Sequence, residues 1–104
     1  MKYQFHLAAT AAGRFKGLIG RHHYRNFEPG SILVLAPCKS IHTFGMDVYI
    51  DVAFVSLSGE VLQTYESVPP RKVLCNSQAT YVLERVSIED PWFEVGSTIC
   101  LEVA

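Results

Sequence analysis

The apolar residues of this 104-residue chain fall into short runs that are separated by glycine, proline and serine. The longest runs, such as residues 32–37 and 52–55, are much shorter than the roughly 20 residues of a helix that crosses a bilayer. Runs of about four to eight apolar residues bounded by turn formers are typical of β-strands. The chain is therefore expected to form several short strands and no membrane span.

The N-terminal part combines a strand pattern with a helix pattern. Residues 2–7 alternate polar and apolar side chains, which predicts a strand with one buried face. A short helix is predicted between Thr10 and Gly20, because Thr10 is a suitable N-cap and the apolar side chains that follow recur at helical spacing. Gly20 suits the end of that helix, since glycine readily adopts the left-handed conformation.

Further segments rich in apolar and β-branched residues end at turn signals, which predicts more strands. They cover residues 31–36, 50–57, 60–65, 79–86 and 98–103. Residues 50–57 and 60–65 flank Ser58-Gly59, a two-residue connection suited to a tight hairpin. The first arm is apolar on both faces and is expected to lie inside the sheet. In the second arm Gln63 interrupts the apolar face, which favours a position nearer the edge.

These patterns predict a mainly β fold, or a β-rich α+β fold with one short N-terminal helix. The arrangement is expected to be a small open barrel or sheet. The length of 104 residues and the apolar content of 49% suit one hydrophobic core. A single β-rich domain is therefore expected over residues 1–104.

The charges restrict the classes of partner. A formal net charge of −1 argues against a nucleic-acid binder, which normally has a basic excess. Residues 1–46 nevertheless contain six Lys or Arg and one acidic residue, whereas residues 47–104 contain three and nine. Either the two halves complement each other within the fold, or the basic segment 14–25 binds an acidic partner.

The three cysteines, Cys38, Cys75 and Cys100, cannot all pair within the chain, and their spacing fits no CxxC motif. This usage fits a reducing compartment, so the protein is expected in the cytoplasm. It is expected to act as a monomer or a weak dimer.

Several motifs in the chain occur in a characteristic order. Residues 41–46 read I-H-T-F-G-M, residues 50–55 read I-D-V-A-F-V, and G-E-V-L follows at 59–62. The segments G-L-I-G-R at 17–21 and Y-V-L-E at 81–84 extend the pattern. In these motifs the chain resembles the conserved prokaryotic domain-of-unknown-function family numbered 192 (DUF192). The resemblance implies a compact, mostly β fold and leaves the function open, because the biochemical role of the family is not established.

His42 is the first candidate for chemistry. Its neighbours Ile41, Phe44 and Met46 are apolar and would shield its imidazole from water. A shielded imidazole can act as a base, a ligand or a pH switch. Alternatively, His42 bonds to a backbone carbonyl or to Asp51 and fixes a turn.

Two carboxylates lie in apolar strand segments. An unpaired buried carboxylate is costly, so Asp51 is expected to accept N–H bonds from turn residues or to pair with an Arg or with His42. On this basis Asp51 is structural before it is functional, and Asp51→Ala should cost on the order of 1 to 3 kcal/mol. Glu84 either pairs locally at the solvent surface or belongs to a site.

Cys38 and His42 are four residues apart and, with Cys75 or Cys100, have the ligand types of a zinc site. They also have the types of a nucleophile and its base. Spacing alone establishes neither, because these residues flank a predicted strand or turn, where a separation of four does not align two side chains. The chain has no glycine-rich nucleotide loop, HExxH helix or GxSxG elbow. No metal and no cofactor are therefore expected.

The favoured interpretation is a non-catalytic binding or accessory domain for a small ligand or a protein partner. Arg71 follows two prolines, and a rigid loop that carries an arginine can recognise a carboxylate. The alternative is a small hydrolase-like enzyme that uses Cys38, His42 and Asp51. The residues predicted to bind the ligand are His42, Thr43, Phe44, Met46, Asp51, Arg71 and Glu84.

Overall fold

A computed structural model of the chain describes residues 5–7 and 31–100. The helix predicted between Thr10 and Gly20 and the basic segment 14–25 lie outside the described residues. Within the described residues there are strands and turns and no helix. The strands are β1 (Phe5–Leu7), β2 (Ile32–Leu35), β3 (Ser40–His42), β4 (Ile50–Val55), β5 (Val61–Val68), β6 (Val73–Cys75) and β7 (Tyr81–Val86).

Five strands form the larger sheet, in the order β1-β2-β7-β4-β5. β1 runs parallel to β2, and the remaining neighbours are antiparallel. Every residue of β4 is buried, as expected for a strand that is apolar on both faces and lies between two others. β5 lies at the edge and is mostly half-buried or exposed. The interior position of β4 and the edge position of β5 are therefore both confirmed.

The two faces of the larger sheet carry separate apolar cores, because successive side chains of a strand point to opposite faces. On one face, Leu33, Val52, Phe54 and Val82 belong to what we call the first core. On the other face, the second core contains Ile32, Val34, Ala53, Val55, Val61, Leu83 and Trp92. This alternation decides on which side of the sheet each polar side chain of β4 and β7 is placed.

β3 and β6 form a separate antiparallel pair that the sequence did not predict as strands. Ile41 and Leu74 face each other in this pair and pack on the first core. The alternate residues form the outer face of the small sheet, where His42 lies opposite Val73 and Ser40 lies opposite Cys75. The small sheet therefore covers the first core with one face, and its other face, with His42 and Val73, points outward.

The prediction of a two-residue hairpin at Ser58-Gly59 is wrong. β4 ends at Val55 and β5 begins at Val61, so the connection comprises residues 56–60. Ser56 stabilises this longer loop, since its N–H donates to the Glu60 carbonyl at 2.9 Å and its hydroxyl accepts the Glu60 N–H at 3.1 Å. Gly59 has a φ of +94°, and a Cβ there would collide with the Ile99 carbonyl oxygen. Only glycine fits that close approach.

Of the strand predicted over residues 98–103, residues 101–103 lie outside the described residues, and Thr98 forms an isolated bridge with Glu60. The larger sheet is open rather than a closed barrel, because its end strands β1 and β5 do not pair with each other in the described structure. The mainly β class is confirmed. None of the described residues forms a helix that is long and apolar enough to cross a membrane.

Candidate functional site

A groove of about 280 Å³ lies at the small sheet, lined by Ser40, Ile41, His42, Phe44 and Val73. The register of β3 and β6 explains its lining, since His42 and Val73 are direct cross-strand neighbours on the outer face. The rings of His42 and Phe44 are 5.6 Å apart at an interplanar angle of 51°. Phe44 and Val73 remain 49% and 65% exposed. The groove thus combines an imidazole with apolar side chains that are only partly covered.

Thr43 holds the loop before β6 against this groove, and it is fully buried. Its hydroxyl donates to the Pro69 carbonyl at 2.8 Å and accepts the Lys72 N–H at 2.8 Å. Its own N–H donates to the Lys72 carbonyl at 2.9 Å, and its carbonyl accepts the Arg71 N–H at 3.3 Å. One residue therefore fixes the backbone of both cationic loop residues next to His42 and Phe44.

Arg71 is exposed and has a φ of 67°, in the left-handed region. Non-glycine residues adopt this conformation only where the surroundings hold it. The bonds from Thr43 and the preceding prolines supply that constraint. Arg71 is therefore exposed on a loop whose backbone is held by hydrogen bonds.

Met46 does not line the groove. It is buried in the first core, and its N–H closes a turn by donating to the Thr43 carbonyl at 3.3 Å. Gly45 occupies this turn with a φ of +85°, which suits glycine. Met46 therefore anchors the segment that carries Phe44.

Asp51 lies on the second-core face of the larger sheet, opposite Arg85 on β7. Its carboxylate accepts the Arg85 Nε–H at 2.7 Å, the Ser67 N–H at 2.9 Å and the Ser87 hydroxyl. Of its predicted partners, an arginine is found and His42 is not, and the N–H that it accepts comes from Ser67 in β5 rather than from a turn residue. The carboxylate thus accepts three hydrogen bonds, and it is buried on the face of the larger sheet that does not carry the small sheet.

Arg85 also has several hydrogen-bond partners. Its terminal nitrogens donate to the Asp90 carbonyl at 2.6 Å and to the Pro91 carbonyl at 3.2 Å, and its guanidinium lies 4.5 Å from the centre of the Trp92 ring. Trp92 in turn donates to the Val52 carbonyl at 3.0 Å. The pair of Asp51 and Arg85 therefore ties the segment after β7 to the sheet, which is a structural task.

Glu84 is placed on the opposite face from Asp51, beside Leu33 and Val52 of the first core. It is 4% exposed, so pairing at the solvent surface is excluded. Its Oε2 has no hydrogen-bond partner among the described residues. Burial raises the pKa of Glu84 from 4.5 to about 8, because an ionised carboxylate loses its hydration there.

The structure thus brings together His42, Thr43, Phe44 and Arg71, whereas Met46, Asp51 and Glu84 lie elsewhere. Nothing in the sequence indicated that Val73 lines the groove or that Lys72 is bonded to Thr43 beside it. Both residues are brought next to the histidine segment by the pairing of β3 with β6, and each of those strands has only three residues. A run that short carries too little periodicity to be recognised.

Cys38 is buried and its thiol donates to the Ser40 carbonyl at 3.1 Å. A thiol that donates a hydrogen bond holds its proton, whereas the nucleophilic form of cysteine is the thiolate. In the described part of the chain no three His, Cys, Asp or Glu side chains are grouped to hold a metal ion.

Alkylation should distinguish these thiols. Cys75 and Cys100 are exposed, so iodoacetamide is expected to modify both in the native protein and Cys38 only after denaturation. Intact-mass spectrometry at successive times measures the number of modified thiols. Modification of Cys38 at the rate of Cys75 would contradict its burial and support a reactive nucleophile.

Two solved structures share this fold. One is a protein of unknown function from Novosphingobium aromaticivorans, with a TM-score of 0.66, 21% identity, and coverage of 82% of this chain and 64% of that chain. The other is a proposed transcription regulator from Sinorhizobium meliloti, with a TM-score of 0.64, 19% identity, and coverage of 80% of this chain and 67% of that chain. The first match therefore spans less than two thirds of its partner. Identities this low show a common fold alone.

No curated protein matches the chain. Residues 1–88 match the DUF192 family, whose description is "Uncharacterized ACR". The match covers most of the chain and includes both the histidine segment and the strands that position it. The chain belongs to the DUF192 family.

Proposed function

We propose that this domain is a non-catalytic binding module that holds an apolar group of its ligand in the groove of the small sheet. The observation that carries the proposal is the exposure of Phe44 and Val73, at 49% and 65%, along one concave surface. Partly exposed apolar side chains that line a concave site favour binding, since a ligand removes their surface from water.

The size of the groove limits the ligand. Its volume of about 280 Å³ lies just below the range of roughly 300 to 1,000 Å³ found for small-molecule sites. An aromatic ring that carries a short alkyl chain fits in such a space, since a cavity of about 150 Å³ already holds benzene. The ring of His42 forms part of the same lining.

The placement of Asp51 on the second-core face supports binding rather than catalysis. An enzyme of the predicted alternative type needs a nucleophile, a base and an orienting acid within hydrogen-bond reach. The carboxylate of Asp51 is bound to Arg85 on the second-core face, and the Cys38 thiol donates to a carbonyl. Neither arrangement favours nucleophilic chemistry with His42.

A neutral probe, phenylbutanol, tests the groove in a heteronuclear NMR titration. We expect saturable shifts at the amides of residues 40–44 and 73, with a dissociation constant in roughly the millimolar range for a ligand of this size. Phe44→Ala should weaken binding by about fivefold, because the ring contributes apolar contact to the ligand.

Leu57→Ala is the matched control. Leu57 is 75% exposed and lies beyond the far end of β4 from the segment that carries Phe44. Its truncation removes an exposed apolar side chain without touching the groove. Shifts spread over the whole surface, or equal losses in the two variants, would contradict the proposal.

A further inference from the structure

The small sheet and its flanking segments have a charge pattern unlike the rest of the described chain. Residues 38–46 and 69–80 contain Lys39, Arg71 and Lys72, together with His42, and no aspartate or glutamate. The whole chain has ten acidic residues, so their exclusion from both segments leaves a local excess of cations. The nearest acidic residue along the chain is Asp47, which follows the first segment.

Two of these cationic residues, Arg71 and Lys72, come directly before a residue that lines the groove. Lys72 directly precedes Val73, which lines the groove, and the bonds from Thr43 hold the backbones of Arg71 and Lys72. In the described part of the chain, neither side chain is paired with a carboxylate. Lys39 lies at the other end of β3, where its ammonium donates to the Ser77 carbonyl at 2.9 Å.

We infer that the groove binds a small organic monocarboxylate, with its apolar body against Phe44 and Val73 and its carboxylate facing Arg71 and Lys72. The inference rests on the proposed function and names the class of ligand. A carboxylate complements two cations that pair with no carboxylate among residues 5–7 and 31–100, and arginine suits it because its donors match the two oxygens.

A small ligand fits better than a polyanion. The groove accommodates one ring with a short alkyl chain, and the net charge of the protein is −1. A nucleic acid or a strongly acidic protein would meet the acidic residues outside the two segments, which oppose its approach. A monocarboxylate places its single charge beside Arg71 and Lys72 alone.

Three probes of one shape separate the charge from the apolar body: phenylbutyrate, phenylbutanol and phenylbutylamine. In NMR titrations at low ionic strength we expect phenylbutyrate to bind about tenfold more tightly than phenylbutanol and phenylbutylamine more weakly than either. Added salt should reduce the preference, since the cations are exposed and screened by ions.

The variant with Arg71→Gln and Lys72→Gln should lose the preference for phenylbutyrate while binding phenylbutanol as the wild type does. Glutamine retains a Cβ at residue 71, so the left-handed backbone is no more strained than with arginine. Lys39→Gln is the matched control and should change the preference less than twofold.

Each outcome has a defined consequence. Equal binding of phenylbutyrate and phenylbutanol overturns the inference and leaves the apolar groove intact as a binding site. A preference that persists in the double variant also overturns it, because Arg71 and Lys72 are then not its source. If no probe binds saturably, both the inference and the proposed function fail.

Discussion

Asp51→Ala is expected to lower the free energy of unfolding by about 3–5 kcal/mol at neutral pH. Asp51 is 1% exposed and Arg85 is 3% exposed, so the substitution leaves a guanidinium buried without its countercharge. It also removes the acceptor of the Ser67 N–H and the Ser87 hydroxyl. Urea denaturation followed by circular dichroism measures the change.

A second variant separates the ion pair from the volume of the side chains. Asp51→Leu combined with Arg85→Met replaces both charges by apolar groups, which is often close to neutral for a buried pair. The double variant should therefore be more stable than Asp51→Ala. An unchanged urea midpoint in Asp51→Ala would exclude the structural role of the carboxylate.

The expected loss exceeds the roughly 1 to 3 kcal/mol that the sequence predicts, because the partner of Asp51 is itself a buried charge. The position of Asp51 in an apolar strand predicted that it must be paired. That the partner is Arg85, itself buried, follows from the antiparallel register of β4 and β7. This register cannot be predicted from the sequence, because the two residues are 34 positions apart.

The same register explains why the predicted ligand-binding residues do not all lie in one place. β4 and β7 place Asp51 opposite Arg85 and Val52 opposite Glu84, so the two carboxylates point to opposite faces. The sequence places both among the predicted ligand-binding residues, because each is an acidic residue in an apolar strand. His42, Thr43 and Phe44 do lie together, because they are consecutive in the chain.

The larger strands were predictable because their apolar runs are long enough to show a pattern. β2, β4, β5 and β7 all coincide with predicted segments, although their ends differ. β3 and β6 are stabilised by packing on the first core rather than by local preference, so the sequence showed no strand signal. The link between the loop that carries Arg71 and Lys72 and the histidine segment arises from the hydroxyl of Thr43, a contact across 29 positions.

Glu84 is expected to make the free energy of unfolding strongly dependent on pH. The carboxyl group is buried beside Leu33 and Val52, and its pKa rises from 4.5 to about 8. Folding therefore favours the protonated form. Its contribution to stability is fully present below pH 4.5 and is lost as the pH rises to about 8.

Glu84→Gln removes this titration while keeping the shape of the side chain. Between the two pKa values the wild type should lose up to about 1.4 kcal/mol per pH unit relative to the variant. At pH 7 the accumulated difference is on the order of 3 kcal/mol, in favour of the variant relative to their difference at low pH. Urea denaturation of both proteins from pH 5 to 8 measures it, and all other titrating groups cancel in the comparison.

Glu94→Gln serves as the control, since Glu94 is exposed and its substitution should leave the pH dependence of the wild type in place. The amide that Glu84→Gln introduces is itself buried without an assured partner, which shifts the stability of that variant by the same amount at every pH. The slope of the stability difference against pH is therefore the decisive quantity. Parallel curves for the wild type and Glu84→Gln would mean that Glu84 is ionised in the folded protein, and that a cation or water reaches its carboxylate within the first core.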